Sequence, residues 1–182
     1  MSDEEIKIHR GLNNVYFDRT KTTYINGKEG VLEYRGYNIH DLSEKSSFEE
    51  VSYLLLYGKL PTKNELDAFN SSLKESRKIP SQVIDIIKSI KDSHPMDVLR
   101  TAVSALSTFD EEASDKSYDA TLRKGIRLTS QVPTIVMAHN SIRNGKDPIE
   151  PSKELSHAAN FIYMLDGKIP SDSTASLMDK DF

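Results

Sequence analysis

The apolar residues of the chain fall first into two short runs around a pair of glycines and then into a long series with helical spacing. The short runs lie at 24–25 and 31–34 and flank the polar stretch from Asn26 to Gly30. Gly27 and Gly30 can supply the positive φ angles that a short hairpin connection needs. This segment therefore predicts a small two-stranded β-hairpin.

A strongly apolar helix is expected soon after the hairpin, preceded by a short helical piece at 41–44. Either Ser46 or Ser47 can cap it, because a glutamate follows each serine at the spacing of a capping box. Gly58 is expected to end it in a left-handed conformation. The inner face of this helix carries Phe48, Val51, Leu54, Leu55 and Leu56.

Three further helices are predicted next along the chain. Thr62 and Glu65 form a second capping box, and the apolar residues that follow predict a helix to about Arg77. Pro80 restarts the pattern with an isoleucine-rich stripe that follows helical spacing rather than the strict alternation of a strand. Pro95 begins the next helix, because proline is well tolerated in the first turn.

The longest predicted helix runs from about Tyr118 to Arg143. Pro133 lies inside it and cannot donate a backbone hydrogen bond, but the apolar rhythm continues on both sides. We therefore expect one continuous helix with a kink at this proline. A helix from Lys153 to about Leu165 and a last helix capped by Ser171 complete the series.

These elements describe one mainly α domain over residues 1–182, with six or seven helices and the hairpin. Residues 1–8 are mostly charged or polar and are expected to form a flexible arm. The acidic stretch 110–117 is expected to be a solvated connector that needs no charged partner.

Composition excludes several classes of function. The chain has 24 Lys and Arg residues against 28 Asp and Glu residues, so it lacks the positive charge that binds nucleic acid or an anionic membrane. It has no cysteine, which excludes disulfides, thiolate catalysis and sulfur-ligated metals. No apolar run approaches the length of a membrane span. We expect a soluble cytoplasmic protein without nucleic-acid or membrane partners.

The sequence contains no complete catalytic or metal-binding motif. Its five histidines show no pair at the spacing of helical zinc ligands, the glycines at 27, 30 and 36 lack the Lys-Ser/Thr ending of a phosphate loop, and no serine stands in a G-x-S-x-G elbow. Asp110, Glu111 and Glu112 are neighbours in the polar connector. They are interpreted as solvent-facing rather than as paired catalytic carboxylates.

Two histidines and four cations remain as candidates. His94 precedes Pro95, and His157 shares a helix face with Phe161; both histidines are interpreted as hydrogen-bonded structural residues, with catalysis as the alternative. The cations lie along the long predicted helix, where an exposed structural role is favoured over anion binding. They are Arg123, Lys124, Arg127 and Arg143.

Five ordered segments resemble the N-terminal part of the citrate synthase family, which includes the similar 2-methylcitrate synthases. They are RGL at 10–12, GVLEYRGYNIHDL at 30–42, FEEVSYLLLYGKLPTKNEL at 48–66, HPMDVLRTAVSAL at 94–106 and SHAANFIYML at 156–165. The resemblance implies the N-terminal portion of the large helical domain of such an enzyme, with a small β-hairpin.

The resemblance implies a homodimer that condenses acetyl-CoA with oxaloacetate and releases citrate and CoA, without a metal or redox cofactor. Propionyl-CoA would be the acyl donor of a 2-methylcitrate synthase. The family's catalytic histidines and aspartate sit in motifs of the types GPLHGGA, GFGHR and N-x-D-F, which do not occur here, so no catalytic residue is assigned. A CoA-phosphate arginine of some members aligns near Ser141, which makes Arg143 a candidate for CoA binding.

Two interpretations of the whole chain stay open. The favoured one is a part of a longer citrate synthase, inactive by itself, because the last predicted helix has no C-terminal cap before the apolar Phe182. The alternative is a helical interaction or regulatory module without catalysis. The sequence does not decide between acetyl-CoA and propionyl-CoA.

Overall fold

The structure is a computed structural model that describes residues 8–12, 15–16 and 18–182. The arm expected at 1–8 lies outside the described residues except for Ile8, which is exposed. The strands are Thr23–Asn26 (β1), Val31–Tyr34 (β2) and Tyr37–Asn38 (β3). The α-helices are Ile39–Lys45 (α1), Phe48–Tyr57 (α2), Lys63–Glu75 (α3), Ser81–Ser89 (α4), Pro95–Leu106 (α5), Tyr118–Arg143 (α6), His157–Asp166 (α7) and Asp172–Asp181 (α8). Arg10–Leu12 and Ser107–Phe109 form short 3-10 helices.

The mainly α fold class is confirmed, with eight α-helices in the described ranges where six or seven were predicted. The difference arises at the N-terminal side of α2, where the short helical piece expected at 41–44 is a complete seven-residue helix with its own cap. Asn38 caps it by accepting the backbone N–H of His40 at 2.9 Å. No helix in the described part of the chain has the length and apolarity needed to cross a bilayer.

The predicted hairpin is present, but only one of its two glycines has the expected conformation. β1 and β2 are antiparallel, with Asn26 opposite Val31. Gly30 has a φ of 67°, whereas Gly27 is not among the residues with positive φ. The prediction for Gly27 was wrong because the Asn26 side chain shapes this turn, accepting the backbone N–H groups of Lys28 and Glu29 at 3.2 and 3.3 Å.

A third strand, β3, extends the predicted two-stranded ribbon. The connection from β2 is the pair Arg35 and Gly36, whose φ angles of 51° and 86° are both positive, as a two-residue type I′ hairpin turn requires. Arginine rarely adopts such an angle, so the sequence predicted only a turn here. Its guanidinium donates to the Leu55 carbonyl of α2 at 2.9 Å, which ties the sheet to the end of that helix.

The two predicted capping boxes are confirmed. Ser47 and Glu50 exchange hydrogen bonds at the start of α2, and Thr62 and Glu65 do the same at the start of α3. Gly58 ends α2 with a φ of 81°. Each cap therefore sets a helix boundary within one or two residues of the position predicted from the sequence.

The main core lies where α4 and α5 pack on the second half of α6. Val83, Val98 and Ile135 are completely buried there, and the small Ala102 and Ala138 let the helices approach closely. Since each fully buried Val or Ile side chain contributes about 1.5–3 kcal/mol, this cluster is a main source of stability. Its members are Ile79, Val83, Ile87, Val98, Ala102, Leu106, Ile135, Ala138 and Ile142.

The longest helix, α6, is continuous across Pro133, which confirms the predicted continuity, and the kink at this proline stays a prediction. Pro133 is buried, and the apolar residues on both sides of it belong to the core, so packing outweighs the loss of one backbone hydrogen bond. Residues at both ends of α6 are therefore placed by one continuous helix.

The predicted start of α7 at Lys153 was wrong, because the helix begins at His157 with Ser156 as its cap. The preceding residues are held in an irregular loop by side chains. The backbone N–H of Ser152 donates to Asn160 Oδ1 at 2.8 Å, and the backbone N–H of Glu154 donates to the Ser152 hydroxyl at 3.1 Å. These bonds compete with helix formation and delay it until Ser156.

Candidate functional site

Arg143, the only candidate for ligand binding carried over from the resemblance, is the last residue of α6 and is exposed. Within the described ranges its guanidinium makes no hydrogen bond or ion pair. The chain folds back over the helix end, where Gly145 has a φ of 70° and the backbone N–H of Lys146 donates to the Ser141 carbonyl at 2.9 Å. Arg143 is therefore an exposed cation, unpaired among the described residues, that an anion can reach, whereas Ser141 is buried.

Arg127 is not an exposed structural cation, contrary to the sequence interpretation. It lies 2.7 Å from an oxygen of Asp110 and 2.9 Å from an oxygen of Glu112, and Arg123 also pairs with Glu112. The connector 110–117 therefore has charged partners after all. Because hydrogen bonds from the two arginines stabilise its ionised form, the pKa of Glu112 falls to about 2.

A cavity of about 490 Å³ lies beside this ion-pair cluster, between α6 and the segment that follows α5. Leu106, Phe109 and Leu128 contribute apolar wall. Arg127 and Lys124 also line it, but both are engaged, Arg127 with two carboxylates and the Lys124 ammonium with the Asp115 carbonyl. The cavity can surround an apolar group, and its cations are not free to bind a phosphate.

His157 lies inside an aromatic cluster at the start of α7. Only 3% of its surface is exposed, its ring stacks on Phe48 with the ring centres 4.4 Å apart, and Phe182 contacts it edge-on. Burial and the positive charge of Arg77 lower the pKa of His157 to about 4, so the imidazole is neutral at pH 7. This environment supports the structural interpretation of His157.

Glu49 and Arg77 complete a buried polar cluster around His157. One Glu49 oxygen accepts the backbone N–H of His157 at 2.8 Å, so a carboxylate of α2 lies at the positive N-terminal end of α7. Arg77 is 2% exposed, follows α3 and donates to the Ser152 carbonyl. Sequence reasoning missed this cluster, because its members are separated by tens of residues and share no spacing.

The other buried or capping histidines also have local partners. His94 Nδ1 accepts the backbone N–H of Met96 at 3.2 Å, which makes it the cap of α5. His139 is buried, with Nε2 2.9 Å from the Lys91 carbonyl. In the part of the chain that the structure describes, no three histidine or carboxylate side chains come together as metal ligands.

Comparison with known proteins gives consistent matches over nearly the whole chain. The family model described as "Citrate synthase, C-terminal domain" matches residues 11–182. A citrate synthase of Deinococcus radiodurans is 44% identical over 173 residues, which are 94% of this chain and 46% of the relative. A citrate/2-methylcitrate synthase of Bacillus subtilis is 33% identical over 171 residues, 93% of this chain and 46% of that relative.

The crystal structure of citrate synthase from Pyrobaculum aerophilum has the same fold. It superimposes with a TM-score of 0.91 at 34% sequence identity, covering 96% of this chain and 46% of that one. The chain thus spans about half the length of the relatives that it matches.

Proposed function

The chain belongs to the citrate synthase family, and we propose that it is part of an enzyme that condenses acetyl-CoA with oxaloacetate to give citrate and CoA. The observation that carries this proposal is the joint agreement of sequence and backbone with citrate synthases over nearly the whole chain. In this proposal residues 1–182 are the N-terminal portion of the large helical domain, and no resident cofactor takes part.

The chain supplies scaffold and substrate contacts rather than the reacting groups. We propose no catalytic base among the buried or capping histidines. The rings of His94 and His139 each have a hydrogen-bond partner, and His157 is buried. The reaction needs a base for a weakly acidic proton and donors for the developing oxyanions, each worth about a hundredfold or more in rate. We therefore expect residues 1–182 alone to be inactive.

The decisive measurement is release of free thiol from acetyl-CoA in the presence and absence of oxaloacetate. The 182-residue chain is compared with the complete gene product at equal concentration. Oxaloacetate-dependent release by the complete product alone is the expected result. Release by the isolated chain at a similar rate would refute the proposal that the reacting groups lie outside residues 1–182. No release by either protein would favour a non-catalytic interaction module.

A second candidate activity is 2-methylcitrate synthesis from propionyl-CoA. It is favoured by the relative named citrate/2-methylcitrate synthase. The ratio of kcat/KM for acetyl-CoA and propionyl-CoA separates the two, since one added methylene in an apolar pocket changes the ratio by about 10- to 200-fold.

Arg143 is our candidate for binding a phosphate of CoA, because it is an exposed cation without a partner in the described ranges. Arg143→Met should raise KM for the acyl-CoA several-fold and leave kcat unchanged, since a contact far from the reacting atoms contributes uniform binding. Arg100→Met removes an exposed cation that pairs with Asp97 and serves as the control. An unchanged KM in Arg143→Met would refute the assignment.

We also propose that the complete protein is a homodimer. α6 exposes Leu128 and Val136, which are eight residues apart and so lie on one side of the helix, 40% and 37% exposed. Sedimentation velocity of the protein with Leu128→Asp and Val136→Asp should show a shift toward monomer. An unchanged dimer would exclude this face of α6.

A further inference from the structure

Two of the most deeply buried polar side chains in the described structure each have one atom without a protein partner. They are Arg77 Nε and His157 Nδ1, on residues that are only 2% and 3% exposed. A buried polar atom without a partner costs about 1–3 kcal/mol. In native proteins such atoms are usually completed by an ordered internal water molecule.

The two atoms have complementary hydrogen-bonding character. Arg77 Nε–H can only donate. The imidazole of His157 is neutral at pH 7, because burial lowers its pKa to about 4, so Nδ1 can accept when the proton resides on Nε2. A water oxygen can accept from the arginine while one of its protons is donated to the histidine.

The surrounding residues favour water over an ion. Arg77 carries a positive charge that repels a metal ion, and the Glu49 carboxylate repels an anion. Glu49 also accepts the backbone N–H of His157 and interacts electrostatically with Arg77.

We propose that one internal water molecule is bound between Arg77 Nε and His157 Nδ1, with His157 held as the Nε2–H tautomer. This water completes a polar cluster that joins α2, the segment between α3 and α4, and the start of α7. The site is independent of the proposed enzymatic activity, because it depends only on the buried side chains.

The direct test is a high-resolution crystal structure of the complete protein near pH 7. The expected result is one ordered water within about 2.7–3.2 Å of both Arg77 Nε and His157 Nδ1. Absence of density there, a direct protein partner for either atom, or a long-wavelength anomalous signal from chloride would each overturn the proposal.

A matched pair of variants tests whether His157 is a ligand of the water. In His157→Asn the side-chain oxygen can still accept near the former Nδ1, and the water should remain; in His157→Leu it should be lost or disordered. An unchanged water in His157→Leu would exclude His157 as its ligand. If that variant does not fold, imidazole ¹⁵N shifts of the parent protein decide, because a proton found on Nδ1 refutes the proposal.

Discussion

Mild acid should destabilise the protein through His157. Its pKa is about 4 in the folded chain against an ordinary value of 6.5, so the unfolded state takes up a proton first as the pH falls. His157 therefore does not lower the free energy of unfolding above about pH 6.5. It lowers that free energy progressively between about pH 6.5 and 4 and causes no further loss below about pH 4. A shift of this size corresponds to about 3 kcal/mol, of which most is lost by pH 4.5.

The measurement is denaturant unfolding from pH 4.5 to 8, at one protein concentration because association also affects stability. The lower limit keeps the assay above the range in which Glu65 and Glu112, whose pKa values are about 2, lose most of their ionisation. His157→Leu should flatten the profile relative to the parent, whereas the exposed control His40→Gln should follow it. Parallel profiles for the parent and His157→Leu would refute the assignment of a buried neutral imidazole.

Three further changes test local features of the fold by denaturant unfolding. Gly30→Ala should cost about 1 kcal/mol because φ is 67° at this position, whereas Gly27→Ala in the same turn should be nearly neutral; equal costs would contradict the turn geometry. Arg127→Met leaves the partly buried Asp110 without its arginine and should cost about 1–2 kcal/mol, in contrast to a smaller effect of Arg143→Met. Ser47→Ala should cost about 1 kcal/mol through loss of the α2 cap, and no loss would indicate that Asp179, which also accepts at this helix end, suffices.

Local chemistry allowed most helix boundaries to be predicted from the sequence. Ser47, Thr62 and Ser171 each act on backbone groups within three residues, so their effect is visible in a short window of sequence. The start of α7 was missed because Asn160, eight residues further on, holds the Ser152 backbone outside the helix. β3 was missed because Arg35 adopts a φ that its own residue type disfavours and that contact with α2 stabilises.

The polar clusters could not be predicted in the same way, since their partners meet only through the fold. Asp110 and Arg127 are 17 residues apart, on the connector and on α6, and adjacent acidic residues in a polar stretch are usually solvated. Glu49 and His157 are 108 residues apart. The family resemblance, by contrast, rested on whole ordered segments and needed no knowledge of these contacts.

The contacts of Glu49 and Asp179 connect α2 to both α7 and α8, and α7 and α8 also pack against each other. Asp179 of α8 accepts the backbone N–H of Phe48 at the start of α2, and Glu49 of α2 accepts that of His157 at the start of α7. Phe182, the cap residue that follows α8, packs against both Phe48 and His157. α8 has no fully buried residue, so its position depends on these contacts and on its packing against α7. A displacement of α8 must therefore disturb the surroundings of His157, which makes this buried histidine a sensitive reporter of the position of α8.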